Sequence, residues 1–347
     1  MSPTRAQSLW AVILAGGVGS RFWPISTPAQ PKQLLPLVTD APMLRDAVER
    51  LLPLVPAERL LVLTNELLAP AIAALLPELP AANLIAEPRP AGTAAALAWA
   101  SRVVAERDPE AVLLSVHADW AIGDPDGFRT TLLRAANVAE SEDLLVTVGI
   151  TPSRPDPGFG YIEPGVAVGQ VAQRVARFLE KPDRSRAAEL IARGCLWNSG
   201  IFVWRCTRYL DEVRAHCPEV ARALDAPTLA AFFAGVQSVS VDVGVLERSA
   251  RVAVVPGSFG WDDVGTWAAL GRVRPHDAAE NALHGDVIAV RASNNVAFSA
   301  GPSVVLYGVD NLVVVTVDGL TVVTTPEASA DLKTLLDALP PRLRDRG

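Results

Sequence analysis

A glycine-rich turn bordered by cations is the first place in this chain where residue types and spacing suit chemistry. The run Leu14-Ala-Gly-Gly-Val-Gly-Ser-Arg-Phe-Trp-Pro carries Gly16, Gly17 and Gly19, then Ser20 and Arg21, and Lys32 follows in Gln30-Pro-Lys-Gln. Glycines permit backbone shapes that side chains forbid, so amide groups can turn towards a ligand. An arginine and a lysine close to such a turn suit a polyphosphate. Two acidic positions supply the complement. Asp119 follows an apolar run at 111–116, and Asp263 lies in Gly260-Trp-Asp-Asp-Val-Gly-Thr-Trp. Carboxylates at the ends of buried strands suit Mg²⁺, and the adjacent Asp262 and Asp263 would repel each other unless a cation is near. The residues alone leave rivals open: a tight turn of an ordinary βα unit, a turn or N-cap role for Asp119, and a solvated turn for 262–263.

Two familiar phosphate loops are excluded. A Walker-type loop needs Lys-Ser/Thr after its last glycine, and here Gly19 is followed by Ser20-Arg21. The dinucleotide fingerprint fails because Phe22 stands where its third glycine belongs.

The elements that must position these residues alternate. Strands are predicted over 9–15, 59–64, 83–86, 111–116 and 144–150, and helices over 43–52, 67–76, 94–107 and 126–139. This implies βαβ crossovers and a mainly parallel, doubly wound sheet, with ligands beyond the carboxyl ends of its strands. Residues 151–205 read as an extension with short strands at 160–163 and 174–179, building one wall of a site. Segments 210–223 and 229–233 read as surface helices, and 239–246 leads into another. Beyond 282, runs at 286–291, 296–299, 303–307, 312–316 and 320–324 predict a small all-β unit.

Composition narrows the class. The chain has 347 residues, half of them hydrophobic and a fifth charged, with a net charge of −7. That is a globular composition without the basic face that nucleic acid requires. Cys195, Cys206 and Cys217 are an odd number with no CxxC spacing, which argues against disulfides and zinc. No apolar run reaches the ~20 residues of a membrane span, and the N-terminus lacks a signal-peptide layout. A soluble, cytoplasmic protein is expected. His216, His276 and His284 read as surface residues, and His117 stands beside the Asp119 loop.

With Phe22-Trp23-Pro24 after the glycine loop and Pro31-Lys32-Gln33 beyond, the chain resembles the sugar-1-phosphate nucleotidyltransferases, and most closely their mannose-1-phosphate guanylyltransferase branch. Further segments carry the same resemblance. Phe178-Leu-Glu-Lys-Pro, Leu196-Trp-Asn-Ser-Gly, Gly158-Phe-Gly-Tyr-Ile and Ser240-Val-Asp-Val-Gly follow in the family's order, while Glu87-Pro-Arg-Pro-Ala-Gly-Thr-Ala stands for its base-side segment with Ala91, Gly92 and Ala95 departing from the usual residues. His117-Ala-Asp-Trp stands where Pro-Ala-Asp-His is usual, and Asp262 replaces a serine.

The resemblance implies an α/β, Rossmann-like doubly wound mixed sheet of the nucleotide-diphospho-sugar transferase fold over 1–275. A small all-β, left-handed β-helix-like domain over 282–330 would follow, with a terminal helix to about 339. It implies transfer of a guanylyl group from GTP to mannose 1-phosphate with Mg²⁺, in a homodimer without nucleic-acid or membrane partners. By the same resemblance Arg21 serves the leaving pyrophosphate and Lys32 the α-phosphate. Leu14, Ala15, Gly16, Gly17, Gly19, Ser20, Thr93 and Ala94 surround the nucleotide. Gly160, Glu180, Lys181, Asn198 and Asp242 bind the sugar substrate, with Glu180 and Asn198 on its hydroxyls and Lys181 on its phosphate, and Asp119 and Asp263 hold the metal. The short tail implies a single activity, without an isomerase domain. The rivals are another sugar or base, and a non-catalytic regulatory homologue.

Overall fold

The structure is a computed structural model that describes residues 8–17, 22–317 and 319–344. These divide into two compact units. The first comprises 8–16, 47–118 and 124–261, and the second comprises the described residues of 17–46, 119–123 and 262–344. Two short excursions, 17–46 and 119–123, thus join the C-terminal part rather than the strands that precede them in sequence.

The strands run in chain order β1 (Leu9–Leu14), β2 (Leu60–Asn65), β3 (Leu84–Glu87), β4 (Val112–His117), β5 (Ala121–Ile122), β6 (Leu145–Ile150), β7 (Tyr161–Val168), β8 (Ala172–Leu179), β9 (Leu196–Arg205), β10 (Val252–Gly257), β11 (Trp261–Asp262), β12 (Ala282–His284), β13 (Val287–Val290), β14 (Val296–Ala300), β15 (Val304–Tyr307), β16 (Val313–Val317) and β17 (Leu320–Thr324). In the first unit nine of them form one sheet in the order β3-β2-β1-β4-β9-β6-β10-β8-β7. β1 is parallel to both β2 and β4, so the chain moves outwards through β2 and β3 and then returns to the other side of β1. The continuously apolar β1, and β4 with Ser115 and His117 as its polar residues, are buried on both faces along most of their length, as central parallel strands must be.

The expectation of a mainly parallel sheet with an appended wall at 151–205 is corrected here. β9 lies at the centre, antiparallel to both β4 and β6. Its ten residues interrupt their apolar pattern with Asn198, Ser199 and Gly200, which hides it from a periodicity argument. The register slips between Thr147 and Gly149 opposite this stretch, and Gly200 takes φ +75°. A bulge at that point bends the strand and re-aims its side chains.

The helices expected on the surface are core elements. The Cys206–His216 helix buries Tyr209 and Val213, and Phe232 and Phe233 are fully buried. They pack with the alanine-rich helix Gly92–Arg107, and Tyr209 stacks on Trp204 at 4.0 Å. Small alanines let the helices approach while the large aromatic rings fill the remaining space.

In the second unit β12, β14 and β16 pair in parallel, β13 pairs in parallel with β15, and β17 closes the larger sheet antiparallel to β16. Successive chain passes therefore stack as rungs. A buried asparagine ladder joins three of them. Asn281 Oδ1 accepts from the Asn295 amide at 3.0 Å, and Asn295 Oδ1 accepts from Leu312 N at 2.9 Å. Asn281 Nδ2 donates to Ala292 O at 2.9 Å and Asn295 Nδ2 to Val309 O at 3.0 Å. These amides satisfy backbone groups that strand pairing leaves over. His284 is also not a surface residue as expected. Its ring stacks on Phe298 at 4.5 Å and its Nδ1 lies 2.8 Å from Arg274 Nη2. Burial first, then the Arg274 charge, holds its pKa below the usual histidine range.

Asn295→Ala would strip the side-chain partner from Leu312 N and one of the two donors from Val309 O inside this ladder. Leaving such buried groups unpaired is expected to cost about 2–4 kcal/mol in urea unfolding. A change under ~0.5 kcal/mol would show that the ladder is not what joins the rungs.

Candidate active site

In the second unit a short 3₁₀ turn, Lys32–Leu34, follows the extended Pro31 and buries both Lys32 and Gln33. Proline fixes the approach to the turn, so a lysine that would normally reach into water is instead 6% exposed. Its Nζ donates to Asp119 Oδ2 at 3.0 Å and to the Asp263 carbonyl oxygen at 2.6 Å. Three segments far apart in sequence thus meet at one ammonium. Gln33, to which the sequence argument gave no role, donates through Nε2 to Gly17 O at 2.8 Å and ties the glycine turn to the same short helix. Its signal was present, since Gln33 is the third residue of the Pro-Lys-Gln element. The Phe22 ring packs edge-on against Trp267 at 5.1 Å, and Trp267 Nε1 donates to Trp23 O at 2.9 Å. Lys32 Nζ stands over the Phe22 ring, 6.0 Å from its centroid. Gly19, Ser20 and Arg21 lie outside the described residues.

Asp262 and Asp263 separate in role. Asp262 is buried, with Oδ2 accepting from Arg272 Nε at 2.8 Å and Oδ1 from Arg272 Nη2 at 3.1 Å. The cation that two adjacent carboxylates call for is therefore Arg272, which corrects the inference that their adjacency itself favours a metal. Asp119 and Asp263 still suit Mg²⁺ by donor chemistry. A carboxylate and a carbonyl, both hard oxygens, converge on one cationic point at Lys32 Nζ. Among the described residues no three acidic, histidine or cysteine side chains assemble as a metal cluster. A magnesium held by one or two carboxylates and completed by substrate phosphates needs no such cluster.

In the first unit Leu14, Ala15 and Gly16 continue from β1 at the point where the sheet order reverses, which is where open α/β sheets bind ligands. Leu14 is in register with His117 of β4, and Ala118 N donates to Leu14 O at 3.0 Å. Gly16 and Gly17 are not in the left-handed region, contrary to the reason given for them; instead, a Cβ at either would meet nothing within 4 Å among the described residues. Their contribution is open space over the backbone.

The bulged β9 brings the expected sugar-side residues together in the same unit. Asn198 N donates to Gly160 O at 2.8 Å, and Asn198 Nδ2 donates to Asp242 Oδ1 at 2.8 Å. A Cβ on Gly160 would stand 3.3 Å from Glu180 Oε2, so glycine keeps that approach clear. Lys181 Nζ lies 3.3 Å from Glu180 Oε1, and its backbone takes φ +34°. Asp242 opens a five-residue π-helix, Asp242–Leu246, a geometry frequent at functional sites. Burial raises its pKa, while the Asn198 hydrogen bond and the His117 charge oppose that rise.

Thr93 and Ala94 are held by the fold itself. The helix starts at Gly92, so Thr93 lies within its first turn. Thr93 Oγ1 accepts from Val241 N at 2.9 Å, and the fully buried Ala94 donates its amide to Val239 O at 3.2 Å. Gly92 has φ +78°, and a Cβ there would lie 2.3 Å from Val239 O. The base-side segment is thereby fastened to the strand of chain that leads into Asp242.

The sequence pattern of the nucleotidyl transferases matches residues 10–280. The chain belongs to this family. It is 37% identical over 96% of its length to an Escherichia coli mannose-1-phosphate guanylyltransferase, covering 74% of that protein. It is 38% identical over 88% of its length to the xanthan biosynthesis protein XanB of Xanthomonas campestris, covering 67% of it. A solved Thermus thermophilus structure, described as a mannose-1-phosphate geranyltransferase, superposes with a TM-score of 0.87 at 33% identity. It spans 95% of this chain and 98% of the other.

One further carboxylate of this nucleotidyl transferase escaped the sequence argument. Glu87 closes β3, in register with Asn65 of β2, and burial raises its pKa to about 7. Nothing in its sequence context signals that burial. An unfolded glutamate titrates near 4.5, so as pH rises from there to 7 the unfolded chain releases its proton first and the folded state loses relative stability. Glu87→Gln removes this loss. The melting temperature of the variant relative to the parent is expected to climb between pH 4.5 and 7 and to level off above; a flat difference would refute the burial assignment.

Proposed function

We propose that this chain is a mannose-1-phosphate guanylyltransferase. A phosphate oxygen of α-D-mannose 1-phosphate attacks the α-phosphorus of GTP, the new O–P bond forms as the bond to the β-phosphate oxygen breaks, and GDP-mannose and pyrophosphate result. The names and coverage of the relatives support the substrates. The observation that carries the reading is Lys32, a buried ammonium held between Asp119 and the Asp263 carbonyl.

Phosphoryl transfer needs positioned charge more than covalent help from the protein. Lys32 supplies a fixed positive charge for the α-phosphate, and its orientation costs nothing at the moment of reaction because Asp119 and Asp263 already hold it. Arg21, by the same family resemblance, serves the departing pyrophosphate. Asp119 and Asp263 would hold Mg²⁺, which when bound neutralises phosphate charge. Gly16 and Gly17 leave the backbone open to the nucleotide. Glu180, Asn198 and Asp242 present acceptors and a donor to sugar hydroxyls, with Gly160 leaving room, and Lys181 meets the sugar phosphate.

Incubation with Mg²⁺ and a matrix of nucleoside triphosphates and sugar 1-phosphates is expected to release pyrophosphate with GTP and mannose 1-phosphate. Release with no pair would remove the enzyme reading in favour of a regulatory homologue. Release with glucose 1-phosphate and dTTP alone would remove only the specificity. Lys32→Met is expected to lower kcat by ~10²-fold, the scale of losing one fixed charge-stabilising group. Asp119→Asn is expected to raise the Mg²⁺ concentration for half-maximal rate by about tenfold or more; an unchanged Mg²⁺ dependence refutes the metal role.

A further inference from the structure

We infer that Asp262, itself held by Arg272, is a positioning residue that aims the Asp263 carbonyl at Lys32. This rests on reading Lys32 as the phosphate-binding cation. One peptide plane links the two contacts. The carbonyl of Asp263 and the amide of Val264 belong to the same planar, trans unit, so the direction of one sets the direction of the other. Val264 N donates to Asp262 Oδ1 at 2.9 Å, and on the opposite side of that plane Asp263 O accepts from Lys32 Nζ at 2.6 Å. Asp262 therefore holds the far end of the lever whose near end touches the ammonium.

The lever is under tension. Val264 is fully buried and has φ +47°, a left-handed conformation that is a genuine outlier for a β-branched residue. Such a backbone persists only where its surroundings over-determine it. The surroundings here are the Asp262 carboxylate below the amide and Arg272 behind the carboxylate, bound through Nε at 2.8 Å and Nη2 at 3.1 Å. Relaxed to the ordinary right-handed region, Val264 would rotate the shared plane and carry the Asp263 oxygen off Lys32.

Asp262→Asn and Asp262→Ala separate this role from a purely structural one. Both break the ion pair with Arg272, so both are expected to lower the melting temperature. Asparagine keeps an Oδ1 acceptor for Val264 N, and alanine does not. The expectation is that Asp262→Ala lowers kcat by about tenfold or more, within the loss that a misplacement near 1 Å produces. Asp262→Asn should retain kcat to within ~3-fold of the parent, given that the lever's oxygen remains. A readout without turnover is amine acetylation followed by mass spectrometry, tractable because the chain has only Lys32, Lys181 and Lys333. Lys32 labelling should rise in Asp262→Ala, relative to Lys333, and stay near the parent level in Asp262→Asn. Where Asp262→Ala does not fold, Asp262→Leu replaces it: leucine fills a similar volume without an acceptor, and Arg272, whose side chain is 41% exposed, can turn to water; it should raise Lys32 labelling and lower kcat together. Equal kcat and equal Lys32 labelling in a folded alanine or leucine variant and the parent overturn the inference. Absence of turnover in the parent overturns the functional reading instead, and leaves the labelling comparison to decide the lever.

Discussion

A buried lysine is a costly thing to build, and the second unit is arranged around that cost. An ammonium removed from water must find oxygen partners or lose its charge. Lys32 finds a carboxylate on Asp119 and a carbonyl on Asp263. Each partner comes from a different excursion of the chain, so the residues that fix the lysine also fix how 17–46, 119–123 and the region beyond 262 assemble. The packing of Phe22 on Trp267, the Trp267 bond to Trp23 O and the Gln33 bond to Gly17 hold the lysine's own segment to that arrangement.

The first unit solves a different problem with a bulge. A polar triplet in the middle of a central strand would ordinarily leave buried groups unpaired. In β9, Ser199 donates to Val148 O at 2.6 Å and accepts from Ile201 N at 3.0 Å. Asn198 is turned to Gly160 and Asp242. The irregularity that weakens the strand's pattern is thus what gathers the sugar-side residues. The π-helical turn at Asp242 and the left-handed residues at Lys181 and Val264 belong to the same class of feature. Local rules are broken where chemistry needs a side chain or carbonyl in a particular place.

Much of the candidate site was legible in advance because its motifs are local. The Pro-Lys-Gln turn, the glycine loop and the paired aspartates each declare themselves within a few residues. Elements that the sequence concealed had mixed or misleading patterns. β9 carries Asn-Ser-Gly at its centre, and the helix at 206–216 shows enough polar residues to look like surface while burying Tyr209 and Val213. Glu87 looked like the start of a loop and is a half-buried carboxylate. The reason offered for Gly16 and Gly17 was also mistaken, since open space rather than backbone angle distinguishes them.

What the sequence determined by itself was the class of chemistry and the alternation of strands and helices. Both depend on residues near one another along the chain, and apolar runs with intervening amphipathic stretches encode them directly. Only the tertiary structure decided which aspartate does what. Asp262 and Asp263 are neighbours with the same side chain and equal claims on a cation. Their roles diverge because a guanidinium ten residues onward, at Arg272, reaches one of them, while Lys32, more than two hundred residues earlier, reaches the backbone of the other. Pairings across such separations follow from how segments pack, and packing leaves no local mark in the sequence.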